Sequence, residues 1–247
     1  GDSTPLLDLA FLCALRDGEA RGQGVSLFAN LRIPPSHYSW SSGHATAPQI
    51  QRVMLEGWPA IKAKGSADWQ ETSRFLDFLA EATASRRVKL RVDFNGCLSA
   101  PQFEEFCRSL TPRARAALDL VEDPVPYEAG AWNALRTRLD VRLALDKSWQ
   151  SAVDGFDAVV IKPARRDWRV VASKFPKTPL VMTSAMDHPL GQMFAAHQSA
   201  LAFQSVPDRI GWCGLATEHL FEPDEFTELI DSTGGILKLR DWGTRLG

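Results

Sequence analysis

Five short apolar runs in this chain each end on a charged residue, in the order Lys, Asp, Glu, Asp, Lys. They close on Lys62 and Lys64 after Trp58-Pro-Ala-Ile61, Asp93 after Leu90-Arg-Val92, and Glu122 after Leu118-Asp-Leu-Val121. The last two close on Asp146 after Leu143-Ala-Leu145 and on Lys162 after Ala158-Val-Val-Ile161. One such run says little, because strands commonly end in polar loops. Five in this order point to a ring of parallel strands whose carboxyl ends converge on one site. The length of 247 residues agrees, since a single (β/α)8 barrel takes about 250.

From about residue 31 onward, short apolar runs alternate with longer amphipathic stretches, the pattern of βα units in a parallel sheet. Eight strands are expected, at 32–40, 59–64, 88–94, 118–122, 141–146, 158–162, 180–184 and 209–215. Helices are expected at 47–56, 68–84, 100–109, 130–138, 166–174 and 189–202. The segment after Asp146 is short, so a single turn is expected in place of one crossover helix. Ahead of the first strand, 4–17 reads as an amphipathic helix with Leu6, Leu7, Leu9, Ala10, Leu12 and Cys13 as its apolar set. After the last strand, 222–230 reads as a helix and 234–239 as a turn into a short strand.

Composition narrows the function classes. Hydrophobic residues make up 45%, enough for a large core, and the formal net charge of −2 does not suit a polyanion binder. The pairs Arg86-Arg87 and Arg165-Arg166 read as solvated rather than as a nucleic-acid patch. No apolar stretch reaches the roughly 18 residues of a membrane span; Asp8 interrupts the best candidate, and no signal peptide is visible. The four cysteines, Cys13, Cys97, Cys107 and Cys213, lack CxxC spacing and read as free thiols of a cytoplasmic protein. The five histidines, His37, His44, His188, His197 and His219, lack metal-ligand spacing and read as ordinary polar residues.

Lys62 and Lys64 stand two apart, so both project from one face of their strand. In a barrel that face is the interior, where two ammonium groups are costly unless carboxylates or a bound anion compensate them. A structural ion pair with Asp93 is the plain alternative to a catalytic role. Asp93, Glu122 and Asp146 are 29 and 24 residues apart, about one βα unit each, and so would sit side by side at the barrel mouth. Three hard oxygen donors suit Mg²⁺, or Mn²⁺ in its place, better than zinc. Taken singly, each carboxylate is equally a helix cap or a turn residue, as Asn95-Gly96 and Lys147-Ser148 nearby suggest. Lys162 would complete the site from the other side, its basicity lowered by a nearby cation and a second lysine. The chemistry that unites these groups is removal of a proton α to a carboxylate.

The motifs Lys62-Ala-Lys64, Asp93-Phe-Asn95, Glu122-Asp-Pro124, Asp146-Lys-Ser148 and Val160-Ile-Lys162-Pro163 resemble the enolase superfamily, in its muconate-lactonizing-enzyme-like subgroup. Within it, Ala158–Pro163, Thr183-Ser184 with Pro189-Leu-Gly191, and Gly214-Leu-Ala-Thr217 are similar to the o-succinylbenzoate synthases of menaquinone biosynthesis. The resemblance implies a TIM-type (β/α) barrel with most of the N-terminal α+β capping domain absent. Residues 1–30 would be a remnant carrying the last cap helix. Residues 31–220 would be the barrel, and 221–247 a segment packing back on the barrel or cap.

It further implies that Asp93, Glu122 and Asp146 bind Mg²⁺. Lys64 would remove the α-proton and protonate the departing hydroxyl in a syn elimination. Lys162 would stabilise the enediolate from the opposite face, and Lys62 would tune Lys64. Asn95, Thr183, Ser184 and Gly214 would contact a small-molecule carboxylate substrate, Ser184 and Gly214 at its succinyl part. The implied protein has no nucleic-acid or membrane partner, and its oligomeric state is left open. Two departures stand out: Lys147 replaces a usual acidic residue, and the interval from Asp146 to Lys162 is short, at 16 residues. Three alternatives stay open at this point. One is an N-succinylamino acid racemase or dipeptide epimerase, one a muconate cycloisomerase, and one an inactive capless metal-binding barrel.

Overall fold

A computed structural model describes residues 5–40 and 45–239. The chain opens with α1 (Pro5–Gly22), β1 (Tyr38–Trp40), α2 (Ala47–Glu56), β2 (Ala60–Lys64), α3 (Trp69–Ala82) and β3 (Lys89–Asp93). It continues with α4 (Ala100–Ser109), α5 (Pro112–Ala117), β4 (Leu118–Glu122), α6 (Ala129–Leu139), β5 (Leu143–Leu145) and β6 (Ala158–Ile161). It ends with α7 (Trp168–Lys174), β7 (Leu180–Met182), α8 (Pro189–Ser205), β8 (Ile230–Asp231) and β9 (Lys238–Leu239). Two compact units result, His37–Val160 and the combination of Gly1–Ser36 with Ile161–Gly247.

In the unit His37–Val160, β1 to β6 pair in sequence order and every pair is parallel. Parallel neighbours need crossovers, and α2 to α6 supply them up to β5. Between β5 and β6 there are only turns, as the short interval predicts. The strands are buried on both faces, as a helix-covered parallel sheet demands: Ile61, Leu90, Val92, Val121, Leu143 and Leu145 have no solvent contact. The helices bring one apolar stripe each, among them Ile50 and Val53 on α2, Leu76 and Leu79 on α3, and Phe103 and Phe106 on α4. Their starts are written locally. Thr46 with Gln49 and Ser99 with Gln102 form capping boxes, each followed by a proline in the first turn. The short α5, absent from the expected elements, begins with a one-sided cap, Thr111 accepting from Ala114 N–H, and Pro112 behind it.

In the other unit, the Thr183 N–H donates to Ile161 O (2.8 Å) and the Ser184 N–H to Gly214 O (2.9 Å), while the Cys213 N–H donates to Pro35 O (2.7 Å). These bonds place β7 between the end of β6 and the segment around Cys213. Helix α8 is buried nearly all round, from Gln192 to Ala200, so it reads as apolar rather than striped.

Several expectations fail for identifiable reasons. The run at 209–215 is no strand but a series of single bridges, Leu180 to Ile210, Ser36 to Cys213 and Thr183 to Gly214. Gly211 and Gly214 weaken it as a strand, and Arg209 is held in a 3₁₀ turn with its guanidinium on the carbonyls of Ala172, Phe175 and Thr178. The first strand shortens to Tyr38–Trp40, because Pro34 and Pro35 offer no ladder N–H. Helix α1 runs past its expected end, and its start at Thr4 lies outside the described residues. Among its described side chains none is buried, so its apolar set does not act as a core face. The expected helix at 222–230 is a single 3₁₀ turn, Thr227–Leu229, leading into β8, which pairs with β9. The Asp224 carboxylate takes the N–H groups of Phe226 (3.0 Å) and Thr227 (2.8 Å), an Asx turn that competes with helix propagation.

Candidate active site

The strand register brings the predicted charges of the first unit together. Lys64 lies opposite Asp93, Asp93 opposite Glu122, and Glu122 opposite Ala144, two residues before Asp146. Residues two apart share a face, so Lys62 and Lys64 point the same way. The Lys62 ammonium donates to Glu122 Oε2 at 2.5 Å and lies 3.2 Å from Asp93 Oδ2. The Lys64 ammonium reaches the same Asp93 oxygen at 3.1 Å. The two lysines differ in access: the Lys62 side chain is 18% exposed and that of Lys64 47%. Only Lys64 combines the site's charge with an open approach.

Burial and charge set the protonation of this cluster. Burial alone would lower the Lys62 ammonium, but Glu122 and Asp93 outweigh it and hold Lys62 above the ordinary lysine value. Burial would likewise raise Asp93, yet the two lysines and the Asn95 N–H bring it down to about 2. Glu122 goes the other way: burial, then Asp93 and Asp146, push it up to about 7 against the pull of Lys62. The Lys62–Glu122 pair therefore holds two opposed tendencies. Its 2.5 Å contact is that of an ammonium on a carboxylate, so the direction that governs the geometry is Lys62 staying charged. Asp146 is buried and counts among the negative charges felt by Glu122.

Just past the carboxylates the backbone turns sharply, with Asn95, Asp123 and Ser148 at positive φ (53°, 39° and 57°). Such turns re-aim strand ends and are held by local polar contacts. The Asp123 carboxylate accepts the N–H groups of Asp146 and Lys147, each at 3.1 Å, and so braces the third carboxylate. The Lys147 ammonium donates to Asn95 O at 2.7 Å, tying the β5 end to the β3 end. Asn95, predicted to touch substrate, gives its N–H to Asp93 Oδ1 (3.0 Å). Sequence reading passed over Asp123. Its signal was an acid directly after a strand-end Glu and before a Pro, the setting of an Asx brace.

Burial raises Asp123 from its ordinary 3.8 to about 6, with Asp146 and Asp93 adding to the rise and the two N–H donors opposing it. A carboxyl whose folded value is raised contributes stability fully present below its unfolded value and lost as pH rises through its folded one. Stability from this group therefore declines between about pH 4 and pH 6. Asp123→Asn removes that decline and turns an amide NH₂ toward one N–H, costing about 1 kcal/mol. Urea unfolding of both proteins at several pH values measures the two effects.

The remaining predicted residues belong to the other unit. Lys162 directly follows β6, is half-buried, and its carbonyl accepts the N–H groups of Arg165 (2.8 Å) and Arg166 (3.1 Å) in a tight turn. Thr183, Ser184 and Gly214 are brought together by the ladder described above. The Ser184 hydroxyl meets that of Thr217 at 2.8 Å and accepts the Met186 N–H. Among the histidines, His37 is more than an ordinary polar residue. It is fully buried, 3.3 Å from the Arg91 guanidinium, and held well below its ordinary value by burial and then by Arg91 and Lys62. His188 caps α8 and bonds Asp224, while His44 lies outside the described residues. The cysteines are free thiols, as expected.

Comparison with known proteins places this arrangement. The enolase C-terminal domain-like family matches residues 45–164. The o-succinylbenzoate synthase of Bdellovibrio bacteriovorus is 32% identical over 256 aligned positions, covering 100% of this chain and 76% of that protein. The chain belongs to the enolase superfamily. It is a muconate-lactonizing-enzyme-like, o-succinylbenzoate-synthase-like member, and its fold is the TIM-type (β/α) barrel of that superfamily. A muconate cycloisomerase variant superposes with a TM-score of 0.74 at 17% identity, covering 96% of this chain and 70% of that one. The muconate lactonizing enzyme of Pseudomonas putida gives 0.72 at 18% identity, with the same shares.

Superfamily members use a divalent cation, and the donor chemistry here fits one. Three buried carboxylates stand at successive strand ends, where burial and then the Asp93 and Asp146 charges raise Glu122, and hard oxygens suit Mg²⁺. Among the described residues no three side chains close into a ligand cluster. The Lys62 ammonium stands between Asp93 and Glu122 and already offsets their charge. No described helix is long and apolar enough to cross a membrane.

Proposed function

We propose that the chain is an o-succinylbenzoate synthase. It would dehydrate 2-succinyl-6-hydroxy-2,4-cyclohexadiene-1-carboxylate to o-succinylbenzoate, in the cytoplasm, for menaquinone biosynthesis. The observation that carries the reading is the Lys64 ammonium, half open to solvent beside Asp93, which itself lies opposite Glu122. Whole-chain similarity to a protein named as that synthase supports the choice of reaction.

Asp93, Glu122 and Asp146 would hold Mg²⁺. The ion would supply positive charge for the substrate carboxylate. Lys64 takes the proton α to that carboxylate and returns it to the departing hydroxyl on the same face, giving syn loss of water. By the family resemblance, Lys162 would stabilise the negative charge that develops on the carboxylate. Lys62 fixes the orientation of Asp93 and Glu122, and Lys147 and Asp123 hold the loops beneath Asn95 and Asp146. Asn95, Thr183, Ser184 and Gly214 would orient the substrate, the last two at its succinyl end.

Asp93→Asn removes one hard anionic donor while keeping shape. Titration calorimetry with Mg²⁺ should show affinity weakened by about tenfold or more. An unchanged affinity would take Asp93 out of the ligand set.

A further inference from the structure

The pairing of β3 with β4 slips once. Leu90 lies opposite Leu118, but Arg91 lies opposite Leu120, so β4 carries one extra residue, Asp119, in a bulge. Without that slip, Asp93 would face Val121. Because side chains alternate with period two, a one-residue shift moves a whole set to the other face. Glu122 would then turn toward the helices and away from Asp93. The bulge is what sets the two carboxylates side by side.

Asp119 is half-buried, and both of its carboxylate oxygens are engaged. Its Oδ2 accepts the Arg91 Nε at 2.8 Å, with side-chain exposures of 12% and 8%, and its Oδ1 accepts an Arg142 Nη at 2.9 Å. Arg91 stands on β3 at the slipped pair itself and also touches His37. Arg142 directly precedes β5, and its carbonyl takes the Val121 N–H at 2.9 Å. One carboxylate thus clamps the strands on both sides of the bulge.

We propose that Asp119, through Arg91 and Arg142, is a positioning residue that locks the β3–β4 register and thereby places Glu122 beside Asp93. The consequence for cation binding rests on the reading of Asp93 and Glu122 as ligands; the register claim does not.

The test compares the unmodified chain with Asp119→Asn, Asp119→Ala and Asp119→Glu. In the unmodified chain, backbone cross-strand NOEs should link Asp93 with Glu122. In Asp119→Asn, which keeps the shape but drops the charge, those NOEs should weaken or pass to Val121 while far-UV dichroism persists. Mn²⁺ affinity, read by EPR, should fall about tenfold, the scale of outer-shell losses. Asp119→Glu, which keeps the charge, should restore part of both signals. If Asp119→Ala fails to fold, the asparagine variant decides. Unchanged NOEs and Mn²⁺ binding in Asp119→Asn would overturn the proposal. Shifted NOEs in a protein whose unmodified form binds no Mn²⁺ would uphold the register lock and refute the cation reading.

Discussion

Lys64→Ala should reduce kcat/KM for o-succinylbenzoate formation by about a thousandfold, in the range that a positioned proton-transfer group supplies. Its fold should persist. The lysine is half exposed, and exposed ion pairs are worth about 1 kcal/mol or less. Asp93 keeps its second cation, Lys62, at 3.2 Å. The predicted signature is therefore a collapse in turnover with a nearly unchanged melting temperature. Measured together, the two separate a base from a structural counter-ion. Comparable residual turnover in the variant would leave Lys64 only the ion-pair role that its strand position equally allows.

Lys62→Met should show the opposite balance, a large loss of stability. Its ammonium is buried and serves both Glu122 and Asp93. Removing one partner of a buried pair leaves an uncompensated charge and costs about 3–5 kcal/mol. For a chain of this size that lowers the melting temperature by roughly 10 °C. The loss should shrink in acid. Burial already raises Glu122 to about 7 with Lys62 present, and without it the carboxyl sheds its charge by keeping a proton. A raised carboxyl stabilises the fold below its unfolded value and loses that contribution as pH rises. Thermal melts of the two proteins at pH 5 and at pH 8 should thus diverge more at the higher pH.

The contrast between these lysines shows how far the chain's chemistry can be read before folding. Charges at the ends of apolar runs are legible because they are expensive: a residue such as Lys62, flanked by Ile61 and Ala63, needs a compensating partner wherever it lies. That reasoning found the strand ends, and the parallel register of β2, β3 and β4 brings Lys64, Asp93 and Glu122 into line. The same logic cannot see Asp119. Leu118-Asp-Leu-Val-Glu122 reads as a short strand, and its partner shows where the pairing slips. Asp123 escaped because a turn residue and a brace look alike until the N–H groups of Asp146 and Lys147 are in place.

The fold's weaker elements failed on local competition. Pro34-Pro35 cut the first strand short, and Asp224 captured the backbone that would have begun a helix. Lys147 looked like a disturbance of charge balance in the sequence, yet its ammonium is engaged by the Asn95 carbonyl.

The most direct measurement follows the diene absorbance of 2-succinyl-6-hydroxy-2,4-cyclohexadiene-1-carboxylate on addition of the purified chain with Mg²⁺. The account predicts rapid loss of absorbance with formation of o-succinylbenzoate, abolished by a chelator and by Lys64→Ala. Mg²⁺ binding without any loss of absorbance would contradict it. Should the same protein then exchange the α-proton of an N-succinylamino acid with solvent deuterium, the site would be a racemase instead.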